Sequence, residues 1–321
     1  MEEQKQIVKE KGSFGKFLQR KNIEFSAKRY GIDALGAMAQ GLFASLLIGT
    51  IISTIGEQAG IDFLVTIGGY AKAVAGSAMA VAIGYALQAP PLVLFSLVAG
   101  FACFGIGNIS QSSEIAGAME GLGGVGGPLA VLVVAIFAAE FGKAVSKETK
   151  VDIIVTPFVT IFVGVLLSMW WAPPIGSVAS AVGNLIMWAT VLKPFLMGII
   201  VSVIVGVALT LPISSAAICA ALGLTGLAGG AAVAGCCAQM VGFAFMSFRE
   251  NRWGGLLSQG IGTSMLQMGN IVRNPKIWIP PTLTAAITGP IATCVFHLEM
   301  NGAAIASGMG TCGLVGQIGV Y

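Results

Sequence analysis

Beyond residue 30 the chain runs for 291 residues on nine Lys/Arg and ten Asp/Glu. That scarcity decides the fold class. Soluble domains carry about 25% charged residues, whereas this chain has 10%, with 56% hydrophobic residues and a mean hydropathy of +0.89. The available charges cannot cover a surface facing water, so a soluble enzyme is excluded. Low charge, four Tyr and 45 Gly without a Gly-X-Y period also exclude a disordered chain, a coiled coil and collagen. The expected architecture is an all-α polytopic membrane bundle.

The remaining charges cluster. Residues 1–30 hold eight Lys/Arg against four Glu, and the rest of the chain has one more acid than base. A basic start followed by an apolar body is first a topology signal, which places residues 1–30 in the cytoplasm as a basic N-terminus and leaves 31–321 as a transmembrane transport domain. No short apolar core with a small-residue cleavage site follows the lysines, so a cleavable signal peptide is not expected. Phe14, Phe17, Leu18 and Phe25 fall near helical spacing among the lysines. That pattern fits an amphipathic helix on anionic lipid, with a frayed basic tail as the alternative. Nucleic acid is not an expected partner.

A crossing needs about 20 mainly apolar residues. By that length the spans fall near 34–55, 63–87, 91–106, 128–144, 153–171, 194–211, 213–227 with 231–248, and 277–296, for about nine or ten crossings in all. Trp170-Trp171-Ala172-Pro173-Pro174 reads as an aromatic belt followed by a helix stop, with a short interfacial helix over 176–193. Residues 254–271 are too polar and glycine-rich to face lipid, yet too apolar for an open loop. They read as a re-entrant hairpin, and 300–321 forms a second glycine-rich stretch. An odd number of crossings leaves Tyr321 outside or buried, and a last span is expected beyond it.

Gly121-Gly123-Gly126 and Gly308-Gly310-Gly313 match G-x-G-x-x-G, but neither has the strand and ribose-binding acid that a dinucleotide site requires. They read instead as backbone packed closely at membrane depth. Small residues at helix-packing spacing, such as Gly36, Gln40, Ala44 and Gly68, Lys72, Gly76, point to close helix association. The six cysteines form no C-x-x-C pair and His297 is the lone histidine, so they read as small buried hydrophobes and no metal or cofactor is expected.

Charges within apolar runs say more, because each costs several kcal/mol at the bilayer centre unless it is paired or solvated. Glu140 lies one turn from Lys143, which predicts an edge pair. Lys72 sits about nine residues into its span and reads either as a substrate or counter-ion group or as a side chain snorkelling to the interface. His297, Glu299 and Asn301 form an H-x-E-x-N string. On an extended backbone, alternation places all three on one side, where they would suit a polyhydroxylated ligand; an ordinary exit into water is the other reading. Asn108, Gln111 and Glu114 make a second polar set. Ser258, Gln259, Thr263, Gln267 and Asn270 could line the same cavity. The expected substrate-binding residues are therefore His297, Glu299, Asn301, Glu114, Asn108, Lys72 and Asn270. No catalytic nucleophile–base pair is evident.

Three stretches carry a family resemblance. They are Tyr30-Gly31-Ile32-Asp33-Ala34-Leu35-Gly36-Ala37-Met38-Ala39-Gln40-Gly41-Leu42-Phe43-Ala44, then Pro212-Ile213-Ser214-Ser215-Ala216-Ala217, and the end from His297 to Gly319. The chain resembles enzyme IIC of the bacterial phosphotransferase system, in the divergent branch that includes perfringolysin-regulator-like proteins. The resemblance implies a sugar-type permease in the bacterial inner membrane. It also implies a homodimer, and substrate held by a re-entrant element containing Glu and His, for which only Glu299 and His297 match. The usual Gly-Ile-Thr-Glu-Pro loop is missing from this sequence. Phosphoryl-carrying modules are missing too, so any phosphorylation would need separate cytoplasmic subunits. A membrane sensor or regulator with little transport is the competing function.

Overall fold

The computed structural model describes residues 13–102 and 127–321, and every named element in them is a helix. A short helix α1 (Ser13–Arg20) leads into α2, a helical rod over Arg29–Ala59 interrupted by π-helical turns at Arg29–Asp33 and Phe43–Leu47. Helices α3 (Asp62–Ala73) and α4 (Ala75–Ala86) form a pair bent by 46° at Val74. They run back along α2, with Gly41 against Ala78, Gly49 against Gly68 and Gly56 against Val65. A Cβ at any of these three glycines would lie within 3 Å of backbone, so the row sets how closely the helices approach. The anticipated small-residue packing is present at Gly68, but on α2 its register differs. Gly36 faces open space, and the contacts fall on the face that Gly41 shares with Gly49 and Gly56.

Next come α5 (Pro91–Ala102), α6 (Gly127–Val145), α7 (Asp152–Thr190) and α8 (Pro194–Thr210). Helices α9 (Ser215–Ala221) and α10 (Gly226–Met246) follow, then α11 (Phe248–Leu257), α12 (Met268–Arg273) and α13 (Ile279–Pro290). One apolar core joins α2, α4 and α6 to the end of α10 through Met38, Met79, Ile83, Ala135, Met240 and Phe243. A second lies between the end of α7 and α8, α9 and α10. In the triad of α8, α10 and α13, backbone meets backbone. An added Cβ on Gly235 would stand 1.9 Å from the Ser202 carbonyl oxygen, and one on Gly289 would stand 2.1 Å from that of Gly198. Ser202 Oγ spans the same contact by donating to the Ala285 carbonyl at 2.7 Å.

Two expectations change. Pro173-Pro174 does not end a helix: α7 runs unbroken for 39 residues through Pro157, Pro173 and Pro174, and the separate helix expected over 176–193 is its second half. Proline removes one hydrogen bond and tends to kink a helix. In an apolar medium, leaving the helix would strand many more backbone groups, so kinked continuation is favoured. Ile153, Ile154, Phe158, Phe162 and Trp170 stand exposed along α7, as lipid-facing residues would. Secondly, four helices among the described residues are long and apolar enough to cross a membrane, or five if the bent α3–α4 pair counts as one span. Nine or ten crossings are not reached on that measure. The crossing expected over 277–296 falls on a 3-10 turn (Pro275–Trp278), α13 and a π turn (Ile291–Val295) in series.

The basic segment is docked on the helical body. Three helix ends meet there, each marked by a non-glycine residue with positive φ: Asn22 after α1, Gln88 after α4 and Lys147 after α6. Helix C-termini leave carbonyls unpaired and carry partial negative charge, so they attract cations. Lys143 Nζ donates to the carbonyls of Asn22 at 2.7 Å and Leu87 at 3.0 Å, and Arg29 donates to Leu87 at 2.6 Å. Lys21 donates to the Ser146 carbonyl. Arg20 and Lys21 both reach Glu148 at 2.6 Å. The Lys21 and Arg20 charges hold the Glu148 carboxyl below its ordinary value, mainly through the Lys21 hydrogen bond. The pair expected at the edge between Glu140 and Lys143 forms at 2.9 Å. It is buried, with Tyr30 donating to the other carboxylate oxygen of Glu140 at 3.1 Å.

Candidate functional site

The segment containing the H-x-E-x-N string is non-helical, and local hydrogen bonds explain why. His297 has φ +47°, which ends the π turn at Ile291–Val295. Leu298 N–H then donates to Ala292 at 2.8 Å, and Met300 pairs with Gly226 in an antiparallel bridge with bonds of 2.9 and 3.0 Å. The Leu298 carbonyl lies directly on Gly230, where any side chain would collide with it. Met300 is 2% exposed and Leu298 half-buried, whereas His297, Glu299 and Asn301 are exposed. Asn301 spends its Nδ2 on the Val320 carbonyl at 3.1 Å and keeps its Oδ1 open. Among the described residues His297 and Glu299 have no hydrogen-bond or ion-pair partner, so the face offers a donor/acceptor imidazole, a carboxylate and an amide oxygen.

Asn270 is elsewhere. Residues 254–271 form a broken helix: α11 continues into a π turn at Ser258–Gly262, Thr263 is extended, and a 3-10 turn over Ser264–Gln267 leads into α12. Its amides bond to each other. Asn270 Nδ2 donates to Gln267 Oε1 at 2.8 Å, Gln267 Nε2 to Gln259 Oε1 at 2.9 Å, and Gln259 Nε2 to Ser247 Oγ at 2.9 Å. Gln259 and Gln267 are 3% and 6% exposed, so the row is internal except at Asn270, whose Oδ1 remains an open acceptor. Met300 and Gly226 meet at one end of α10, and Gln259 meets Ser247 just past the other. At 1.5 Å per residue, α10 separates the two polar sets by about 30 Å.

Lys72 lies in the last turn of α3, half-buried, with its stem against Gly49 and no ion-pair partner among the described residues. Asn108, Gln111 and Glu114 lie outside the described residues, as do Cys103 and the glycines at 121–126. The second G-x-G-x-x-G string is packed backbone, with Gly308 against Ser215 and Gly310 against Cys236. Cys219, Cys236 and Cys312 are buried thiols, while Cys294 is exposed.

Two inward polar contacts escaped the sequence reading. Gln239 on α10 is fully buried and donates to Thr282 Oγ1 on α13 at 3.1 Å, with no partner for its Oε1. Thr210 at the end of α8 meets Ser264 at 2.8 Å, both fully buried. An amide four residues after Gly235 in an otherwise apolar run was the available signal, since that spacing shares the face that packs on α8.

No curated protein sequence matches the chain. The family model for the phosphotransferase system EIIC matches residues 32–321, from the start of α2 to the last residue. That match spans nine-tenths of the sequence and coincides with a helical body too apolar for water. The chain therefore belongs to the phosphotransferase system EIIC family, the membrane permease component of a sugar phosphotransferase system.

Proposed function

We propose that the chain moves a small polyhydroxylated solute, of sugar type, across the bacterial inner membrane by alternating access, with separate cytoplasmic subunits carrying phosphate. The observation that supports this reading is the 297–301 segment, in which His297, Glu299 and Asn301 are exposed while Leu298 and Met300 pack on α10. An acceptor carboxylate beside an imidazole of either polarity is the donor set that hydroxyl groups take. In the proposal Asn270 serves the opposite mouth, where its open Oδ1 accepts from a hydroxyl. Lys72 supplies counter-charge, and Asn108 with Glu114 completes the lining. Arg249, Arg252, Arg273 and Lys276 flank the Asn270 end, which supports a cytoplasmic assignment for that end and for the N-terminus. A homodimer is part of the proposal.

Uptake into proteoliposomes, measured with a panel of labelled hexoses, hexitols and disaccharides and with phosphorylating subunits present, tests it. Glu299→Gln and His297→Ala should each lower uptake at least tenfold without changing the unfolding midpoint. Unaltered uptake in both variants would sink the assignment. Saturable binding with no movement across the bilayer, together with signalling lost on deletion of residues 1–28, would make the protein a sensor.

A further inference from the structure

Where α1 docks on the ends of α4 and α6 there is a cavity of about 380 Å³. Its wall carries four cations, Arg20, Lys21, Lys143 and Lys147, against one carboxylate, Glu148. Lys143 is 1% exposed, so one of these charges is built into the protein interior. Internal partners use only part of the positive charge. Lys143 is balanced by Glu140, and Arg20 with Lys21 share Glu148. Lys147 has no ion-pair partner among the described residues. On the other side of Asn22 lies a second cavity of about 590 Å³, lined by Leu18, Ile23 and Phe25 together with Gln19 and Glu24, with Phe25 77% exposed. Asn22 borders both.

A cationic chamber next to one whose wall includes the apolar residues Leu18, Ile23 and Phe25, both formed by an amphipathic segment lying on a membrane protein, fits a ligand with an anionic head and a hydrocarbon tail. We propose that this junction is a binding site for the phosphate of an anionic phospholipid. The phosphodiester oxygens accept from Lys147, Lys21 and Arg20, and an acyl chain lies over Leu18, Ile23 and Phe25. Glu148 now occupies the place of the anion between Arg20 and Lys21, so the lipid competes with it. A zwitterionic headgroup would bring an ammonium into the same cationic chamber and is disfavoured.

The test uses the full chain in mild detergent, with bound lipid counted by native mass spectrometry during titration with phosphatidylglycerol, phosphatidylethanolamine or inorganic phosphate. Phosphatidylglycerol should bind at least tenfold better than phosphatidylethanolamine. Lys147→Gln, which removes an exposed side chain and leaves the docking contacts intact, should weaken it about fivefold, the ratio set by one basic residue near a lipid anion. Lys150→Gln, in the same loop but outside the cavity, should change nothing. Equal losses for Lys147→Gln and Lys150→Gln would reduce the effect to diffuse surface attraction and overturn the site. Inorganic phosphate binding that depends on Lys147, without preference between the two lipids, would assign the cavity to a soluble phosphate and overturn the lipid.

Discussion

Lys143→Met tests whether the charge junction holds the first half of the bundle together. The substitution keeps an unbranched side chain of similar length and removes the ammonium. Three contacts go with it, to Glu140 at 2.9 Å and to the carbonyls of Asn22 at 2.7 Å and Leu87 at 3.0 Å. Breaking a buried pair from one side costs about 3–5 kcal/mol, because the other charge stays buried. Here the lower end applies: Glu140 retains the Tyr30 hydroxyl at 3.1 Å, and its side chain is 11% exposed. Leu87 retains Arg29, whereas the Asn22 carbonyl loses its donor, which adds roughly 1 kcal/mol. The expected loss is about 3–4 kcal/mol, a factor of several hundred in the folded ratio. Adding Glu140→Leu removes the stranded carboxylate and should recover about 2 kcal/mol, since an apolar pair of similar volume often replaces a buried ion pair at little cost. Denaturation midpoints in detergent for wild type, both single variants and the double variant close the cycle. Limited proteolysis within residues 13–28 reads release of α1. A Lys143→Met cost below about 1 kcal/mol, or a double variant no better than Lys143→Met, would refute the reasoning.

Gly235→Ala should lower the unfolding midpoint by the equivalent of about 1–3 kcal/mol, the usual cost of overpacking, because its Cβ would meet the Ser202 carbonyl oxygen at 1.9 Å. Gly36→Ala, with open space around it, should be neutral or stabilising by up to about 1 kcal/mol, and a loss there would overturn the packing register described above. The docking of α1 should depend on pH in one direction. The folded Glu148 carboxyl lies below its ordinary value of 4.5, so its contribution is fully present above that value and is lost as pH falls through the lowered one. Spin labels on α1 and the α6–α7 loop should separate on acidification below pH 4.5, and Glu148→Gln should be separated at every pH. A distance that does not change with pH in both proteins would sink this role.

His297, Glu299 and Asn301 were singled out by residue type and spacing alone, and all three are exposed while Met300 is buried. The pairing of Met300 with Gly226 that fixes this segment lay beyond the sequence. Gln259, Gln267 and Asn270 were recognised as too polar for lipid. Their donation to one another, rather than to an open cavity, depends on the break at Thr263. Pro173-Pro174 was misread because proline's local cost was weighed without the larger cost of stranding backbone groups in an apolar medium.

The sparse charges and long apolar runs determined by themselves that the body is helical and membrane-bound, because only helices and closed barrels satisfy the backbone in lipid and unbroken apolar runs of about 20 residues suit the helix. Tertiary structure decided the rest. It put the Asn270 and His297 sets at opposite ends of α10, a helix about 30 Å long. It also docked the basic segment, read as an amphipathic helix on lipid or a frayed tail, where three helix ends meet. Local residue chemistry fixes what a segment can bond with, but the partner is set by which helix ends the chain brings to the same place.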